Sequence, residues 1–398
     1  MTWSPWIGEW ALGGYALLLG LKVAAAHLRI SQDSKRAPHG GSRGSVTVLQ
    51  PILGGDSTLE ECLLTNLMDA GAEVSFVWLL DEKDATGQDA AMGALERAAG
   101  ADPSLRSRVR MIRYAEPPND VNPKSFKLAQ GLPLADSEFV AVLDDDTTID
   151  AAHVARALQA LEEADLYTGL PAYRGGRGIG SRLIVGFVNA SSAVTYLPAA
   201  LAGPAVTLNG MFYVTRTRTL RALGGFGAIT SKLCDDLAMA RLYQRSGHVI
   251  HQGWTTQILR TDGLGVRAYW KKMHRWFVFM SVLVRTSTFP QRVALGTVLS
   301  LGPPLLWVGV VGATMEFAVT ETLAATLVLR HLALGTLLKR ASEGRARVPV
   351  FASVAAELLL PLHALHALLV PRIQWRSRRM RVHRDGTFHT AGRTERAH

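Results

Sequence analysis

Three short clusters of charged residues hold the chemistry open to this sequence. The first is Asp144-Asp145-Asp146, which closes the apolar run Val140–Leu143. Carboxylates gathered at a strand end suit a hard divalent cation, Mg2+ or Mn2+, which takes one or two of them and completes its shell with substrate phosphates. A cation so placed can neutralise a diphosphate as it leaves. The plainer reading is an acidic loop capping a helix that begins near Asp150; its position after a buried-strand pattern favours the metal. The second cluster is Asp235-Asp236, at the start of an amphipathic pattern running to Leu242. A carboxylate beside an acceptor hydroxyl is a general base, whereas acids in a first turn also satisfy the helix dipole with no further role. The third is Tyr269-Trp270-Lys271-Lys272-Met273-His274-Arg275-Trp276. Its cations could grip a diphosphate while Trp lines a pocket; equally, it could lie as a juxtamembrane helix with Trp and Arg at headgroup level.

For these clusters to act together, the elements between them must bring them to one place. Residues 45–269 alternate short β-rich runs with helical periodicity. Ser45–Leu49, Val74–Leu80, Val109–Arg113 and Phe139–Leu143 read as strands, and Thr58–Asp69 and Gly87–Ala99 as helices. The alternation predicts an α/β domain with a mostly parallel sheet, whose ligands sit at the carboxyl ends of the strands. Three of those ends fall at Gln50-Pro51, Asp81 and Asp144.

The flanking segments belong to a membrane. Trp6–Leu28 is long and apolar enough to cross one. It has no Lys or Arg before Lys22, carries Trp3, Trp6 and Trp10 at its outer end, and is followed by Arg29, Lys35, Arg36 and Arg43. Residues 1–30 therefore read as an uncleaved anchor with the next segment in the cytoplasm. After an interfacial stretch at 270–290, residues 291–371 hold Val293–Met315, Phe317–Leu338 and Val350–Val370, each long enough to cross. They are interrupted by Pro303-Pro304 and flanked or entered by Glu316, Glu321, Arg330, Glu357, His363 and His366. Basic residues at 339–347 and in the tail, 372–398, place both on the cytoplasmic side, so one of the three segments does not cross; the Pro-Pro segment is the first suspect. Leu183–Leu201 reads either as an interfacial helix or lipid-tunnel wall, or as an ordinary core helix.

Of 398 residues, 48% are apolar, and 43 Lys and Arg against 33 Asp and Glu leave a net charge of +10. That basic excess suits anionic headgroups or nucleic acid, but carboxylates at strand ends would repel a polyanion, so no nucleic-acid partner is expected. Two cysteines, Cys62 and Cys234, cannot form a disulfide framework, and neither sits in a zinc-type spacing.

In order and rough spacing, Asp81, Asp144–Asp146, Asp236 and Lys272-x-x-Arg275-Trp276 resemble the family-2 glycosyltransferases of the GT-A (Rossmann-like) fold. Finer features resemble the ceramide glucosyltransferase branch: the run from Val48 through Pro51 to Gly55, Val121-Asn122-Pro123-Lys124, Gly224-Gly225-Phe226, and Ile373-Gln374-Trp375-Arg376 before a basic tail. The likeness covers nearly the whole chain. It implies that Asp81 contacts the uracil or ribose of the donor with Pro51 near the base, and that Lys124 reaches the nucleotide or its phosphates. Asp144 and Asp146 would form the DxD that holds Mg2+ or Mn2+. Asp236, beside Asp235, would be the catalytic base, while Arg275 and Trp276 would hold the diphosphate and shape the acceptor mouth. The chain departs from the pattern at Lys272, where the family usually has Gln or Arg; Lys keeps the charge without Arg's planar fork.

The resemblance thus implies an inverting transferase that moves a hexose from a UDP-sugar to a hydroxyl of a ceramide-like lipid at a membrane. Its catalytic domain would be cytoplasmic, and the richness in Ala, Arg and Gly points to the inner membrane of a bacterium. Two alternatives differ in kind. A processive polysaccharide synthase of the same fold needs a translocating pore, which the short, interrupted C-terminal region does not suit. A membrane protein that binds anionic lipid without chemistry would have no use for carboxylates at strand ends.

Overall fold

In the computed structural model the described residues are 5–35, 44–375 and 378–393, so Trp3, Arg36, Arg43 and Arg376 lie outside them. The apolar N-terminal run forms α1 (Pro5–Ser34), six residues beyond the predicted end. The α/β part follows: β1 (Val46–Pro51), α2 (Leu59–Asp69), β2 (Val74–Asp81), α3 (Ala85–Ala101), β3 (Val109–Tyr114), α4 (Pro123–Gly131), β4 (Phe139–Leu143), β5 (Thr147–Thr148) and α5 (Ala151–Ala160). Next come β6 (Leu166–Gly175), α6 (Ile179–Ala202), β7 (Phe212–Arg216), α7 (Thr217–Ala222), α8 (Asp235–Arg245), β8 (Ile250–Thr261) and α9 (Val266–Thr286). The chain closes with α10 (Phe289–Ser300), α11 (Gly302–Ala313), α12 (Phe317–Ala341), α13 (Val350–Leu369), β9 (Arg372–Trp375), β10 (Arg378–Val382) and β11 (Phe388–Arg393).

Eight strands form one sheet in the order β3-β2-β1-β4-β7-β6-β8-β5. The half from β3 to β4 is parallel; β7 runs antiparallel to both β4 and β6. This is the α/β class predicted, and the parallel half puts the ends of β1, β2 and β4 on one edge. Strands β1, β2 and β4 are almost wholly buried and correspondingly apolar, whereas the edge strand β3 carries Arg110 and Arg113 and is half-exposed. Along β2, Phe76, Trp78 and Leu80 face the core with α2, α3 and α5, while Val77 and Leu79 face the core with α4 and α8.

The membrane helices are fused to the far half of the sheet. Ala26 and Ile30 of α1 bury among Leu170, Ala172 and Ile258 of the sheet and Leu334, Leu337 and Leu338 of α12. Among the described residues, five helical segments are long and apolar enough to cross a membrane: α1, α6, α10 with α11, α12 and α13. The Pro303-Pro304 segment is one of them, broken between α10 and α11 at Leu301. The start of α1, the end of α11 and the start of α12 meet at Gly8, where a Cβ would come within 2.8 Å of Val319 and 3.5 Å of Gly312. The other end of α1 reaches the α/β part, where Asp33 pairs with His251 at 3.4 Å.

The two ends of α13 behave differently from those of α1. Just before it, Arg345 pairs with Asp150 at 2.5 Å and the Arg347 carbonyl accepts from Asn189 Nδ2 at 2.8 Å. Just after it, the Arg372 carbonyl is 3.0 Å from His274 Nε2, and Arg378 pairs with Glu116 at 3.1 Å. Both flanks of α13 are thus fixed to the same α/β body. The tail does not trail away but folds as an antiparallel sheet, β11-β10-β9, against that body.

Candidate active site

Each acidic cluster lies where a strand or helix end delivers it. Asp144 and Asp146 follow β4, and their loop is pinned on both sides: the Asp144 amide donates to Met211 O at 2.9 Å, and the Asp146 carbonyl accepts from Arg260 N at 2.9 Å. Capping of α5 falls to Asp150 instead, whose carboxylate accepts from His153 N at 2.9 Å, so these acids are not the helix cap. Asp145 turns the other way, and its Oδ2 accepts from Leu53 N at 2.8 Å.

Helix α4 joins the clusters. Asn122 caps it, accepting from Lys124 N at 2.9 Å and Ser125 N at 3.2 Å, with Pro123 pre-set at the first position. Lys124 then reaches Asp144 Oδ1 at 2.6 Å, Asp235 Oδ2 at 3.4 Å and Gly210 O at 2.9 Å. Burial opposes its charge, yet the two carboxylates outweigh that and raise its pKa. One turn on, the buried Lys127 reaches Asp81 Oδ1 at 3.0 Å and Ile52 O at 3.0 Å. A single helix face therefore ties the end of β2 and the loop after β1 to the acids after β4 and at the start of α8.

Asp236 sits on that α8 start. Its Oδ1 accepts from Leu237 N at 2.7 Å and from the Cys234 thiol at 2.9 Å. Burial, reinforced by Asp235, pushes its pKa up to about 6. Gly210 lies against it, where a Cβ would stand 3.1 Å from that of Asp236. Tyr196 of α6 is within electrostatic reach.

On the opposite side, α9 brings in Lys272, Arg275 and Trp276. Lys272 Nζ donates to the Tyr173 hydroxyl at 3.1 Å and lies over the rings of Tyr173 and Trp276 at 5.2 and 5.4 Å. Its pKa is lowered by burial, against the pull of Asp146. Asp146 in turn is pushed up to about 6 by burial, with Asp144 and Asp56 adding to the rise and Lys272 opposing it. Arg275 acts electrostatically on both Lys272 and Tyr173. Trp276 leans on Phe187 of α6 with ring centroids 6.1 Å apart. Lys272 and Trp276 of the third cluster thus meet Tyr173 and Phe187, with Asp146 in electrostatic reach of Lys272.

Lys127 links to Asp81, Lys124 to Asp144 and Asp235, and Lys272 to the surroundings of Asp146 and Arg275, with Pro51 ending β1 beside β2. The sequence reading missed Asp56, Lys127, Tyr173, Tyr196 and Gly210. Lys127 was within reach, because a cation three residues after Lys124 shares its helix face; the others depend on which distant loops meet. The donors fit a divalent cation: Asp144 and Asp146 offer hard oxygens, and burial beside like charges leaves Asp146 short of positive charge. Among the described residues no set of three or more His, Cys, Asp or Glu is arranged to hold a metal ion. Two carboxylates would thus supply part of a shell, with phosphate oxygens and water for the rest.

A family model described as "Glycosyl transferase family 21" matches residues 14–388. No curated protein matches the chain by sequence. Among solved structures, the mannosyltransferase PcManGT from Pyrobaculum calidifontis, in complex with GDP-Man and Mn2+, is 17% identical with a TM-score of 0.46; the match covers 90% of this chain and 99% of that one. Glucosyl-3-phosphoglycerate synthase from Mycobacterium tuberculosis, with Mn2+, UDP and phosphoglyceric acid, is 14% identical with a TM-score of 0.37, covering 71% and 82%. S. aureus TarS 1-349 with UDP-GlcNAc is 12% identical with a TM-score of 0.38, covering 88% and 100%.

Proposed function

The chain belongs to glycosyl transferase family 21, and we propose that it moves a hexose, glucose above others, from a UDP-sugar to a hydroxyl of a membrane lipid such as ceramide, with inversion. The observation that carries this reading is the position of Lys124 between Asp144 and Asp235. It couples the carboxylates suited to a diphosphate-bound cation to the helix that bears Asp236, which lies near Tyr196 of α6. Helix α6 also packs on α1 and α13, so an acceptor arriving from the membrane would meet Asp236 directly.

In this mechanism Asp236 takes the proton of the acceptor hydroxyl as its oxygen attacks the anomeric carbon, opposite the diphosphate. Configuration inverts and no covalent intermediate is needed. A divalent cation held by Asp144 and Asp146 would supply neutralisation of the diphosphate charge. Lys272 and Arg275 add fixed positive charge on the same side, where a partly dry cleft makes it count for more than in water. Lys127 orients Asp81, whose carboxylate would contact the ribose or uracil next to Pro51. Trp276 and Phe187 shape the mouth through which the acceptor enters.

The membrane arrangement follows the same logic. With both flanks of α13 on the α/β body, crossings by α1, α10 with α11, and α12 put the catalytic domain and the tail on one side, the cytoplasmic face of a bacterial inner membrane. The decisive experiment incubates membranes bearing the chain with radiolabelled UDP-glucose, UDP-galactose, UDP-GlcNAc or GDP-mannose. Ceramide or diacylglycerol serves as acceptor, with Mn2+, Mg2+ or chelator, and products are identified by mass spectrometry. Label in a glycolipid, dependent on metal, is expected. Label in a water-soluble polymer would point to a synthase, and donor binding with no turnover would refute the enzyme.

A further inference from the structure

The segment starting Ile373-Gln374-Trp375 has no part in the mechanism above, yet it is built into the cleft's framework. Ile373, Met380, Val382 and Phe388 of the small sheet bury against Leu233, Cys234 and Leu237 and against Val278 and Val282 of α9. Polar contacts then fix two loops to it. Arg378, only 5% exposed, donates to Pro117 O at 2.6 Å and Pro118 O at 3.1 Å and pairs with Glu116 at 3.1 Å. Asp120 adopts a left-handed backbone, φ 61°, and accepts from Thr390 N at 2.6 Å while its own amide donates to Thr390 Oγ1 at 3.2 Å. On the second loop, Leu233 N donates to Gly386 O at 3.0 Å and Lys232 pairs with Asp385 at 3.2 Å.

These are the two loops that deliver the site. Residues 116–122 run straight into Lys124, and residues 230–234 into Asp235 and Asp236. Asn122 ties them together beneath the sheet, its Nδ2 donating to Lys232 O and Leu233 O at 3.0 Å each. A buried guanidinium is tolerated only where its donors are well satisfied. Here all three acceptors of Arg378 lie in one loop, so its charge acts as a template for that loop's path.

We propose that the C-terminal sheet is a positioning element of the active site, in which Arg378 and Asp120 hold Lys124 and Asp236 at their working separation. The proposal rests on the reading of Asp236 as the base. Its test uses the full chain in lipid nanodiscs and compares Arg378→Ala, Arg378→Lys and Asp120→Gly. Glycine accepts the left-handed backbone without strain, so Asp120→Gly removes the carboxylate's bond to Thr390 N and leaves the turn intact.

Arg378→Ala and Asp120→Gly are expected to lower kcat by about tenfold or more, since a displacement of ~1 Å can cost that much. The Kd for uridine, whose base and ribose report on the Asp81 side without the phosphates that Lys124 would reach, stays within about twofold, and Arg378→Lys recovers part of the loss. Unchanged kcat in Asp120→Gly and in a folded Arg378→Ala overturns the proposal. So does a parallel fall in kcat and uridine affinity, which marks general loosening. If Arg378→Ala does not fold, Asp120→Gly decides alone. An Asp236→Asn variant that keeps turnover removes the premise itself, an outcome distinct from all of these.

Discussion

A base must be ionised to act, and Asp236 is held up to about 6 by burial and by Asp235. The rate of transfer should therefore rise through pH ~6 and level off above it. Asp236→Asn should cut kcat by about 10²–10⁴-fold and leave UDP binding near normal, as calorimetry beside steady-state rates would reveal. Stability has the opposite sign. The fold binds this proton more tightly than the unfolded chain does, so the contribution is present at low pH and is lost as pH rises through ~6. Asp236→Asn should accordingly melt a few degrees higher at pH 7.5, with the gain fading below about pH 4. At this scale the sequence was informative: a carboxylate pair opening an amphipathic helix was visible, whereas the environment of Asp236 includes Gly210, Tyr196 and the opposing charge of Lys124, which come from three other segments.

Helix α6 is the element on which the domain and the membrane part depend together. Asn189 in its middle accepts from Tyr173 N at 2.7 Å and donates to Tyr173 O at 3.0 Å and to Arg347 O at 2.8 Å. It thereby fixes the strand that carries Tyr173, the hydroxyl partner of Lys272, and the loop that leads into α13. Asn189→Ala should cost roughly 1–3 kcal/mol, seen as a lowered unfolding midpoint, because buried backbone groups lose their partners. It should also lower kcat through Lys272. Apolar content alone left α6 readable as an interfacial or a core helix. It packs on β6 and β8 of the sheet and also on α1 and α13, and no local pattern encodes two sets of partners at once.

Across the whole molecule, α1, α12 and α13 are locked by a buried polar network. Arg330 pairs with Glu357 at 2.7 Å and donates to the Tyr15 hydroxyl at 2.9 Å and to Ser353 Oγ at 2.9 Å. Removing one partner strands a charge. Glu357→Gln should therefore destabilise by about 3–5 kcal/mol, while the double change Arg330→Met with Glu357→Met should cost much less, measured as thermal unfolding in nanodiscs. Topology gives a second test. Both native cysteines are buried, so single cysteines at Arg340 and Arg384 should react with an impermeant maleimide from the same side, and one at Met315 only from the other. Labelling of the first two from opposite sides would mean that α13 crosses.

The sequence by itself determined the α/β class, the parallel strand ends at Pro51, Asp81 and Asp144, and the apolar segments on either flank, because these follow from periodicity and from charge at strand ends. Only the tertiary structure decided that Lys124 and Lys127 stitch the acids together, that α13 returns to the body it left, and that a basic tail becomes a sheet beneath the Asp236 loop. Each of those outcomes pairs residues more than a hundred positions apart or balances buried charges, and a local pattern contains neither the partner nor the dielectric that gives the pair its strength.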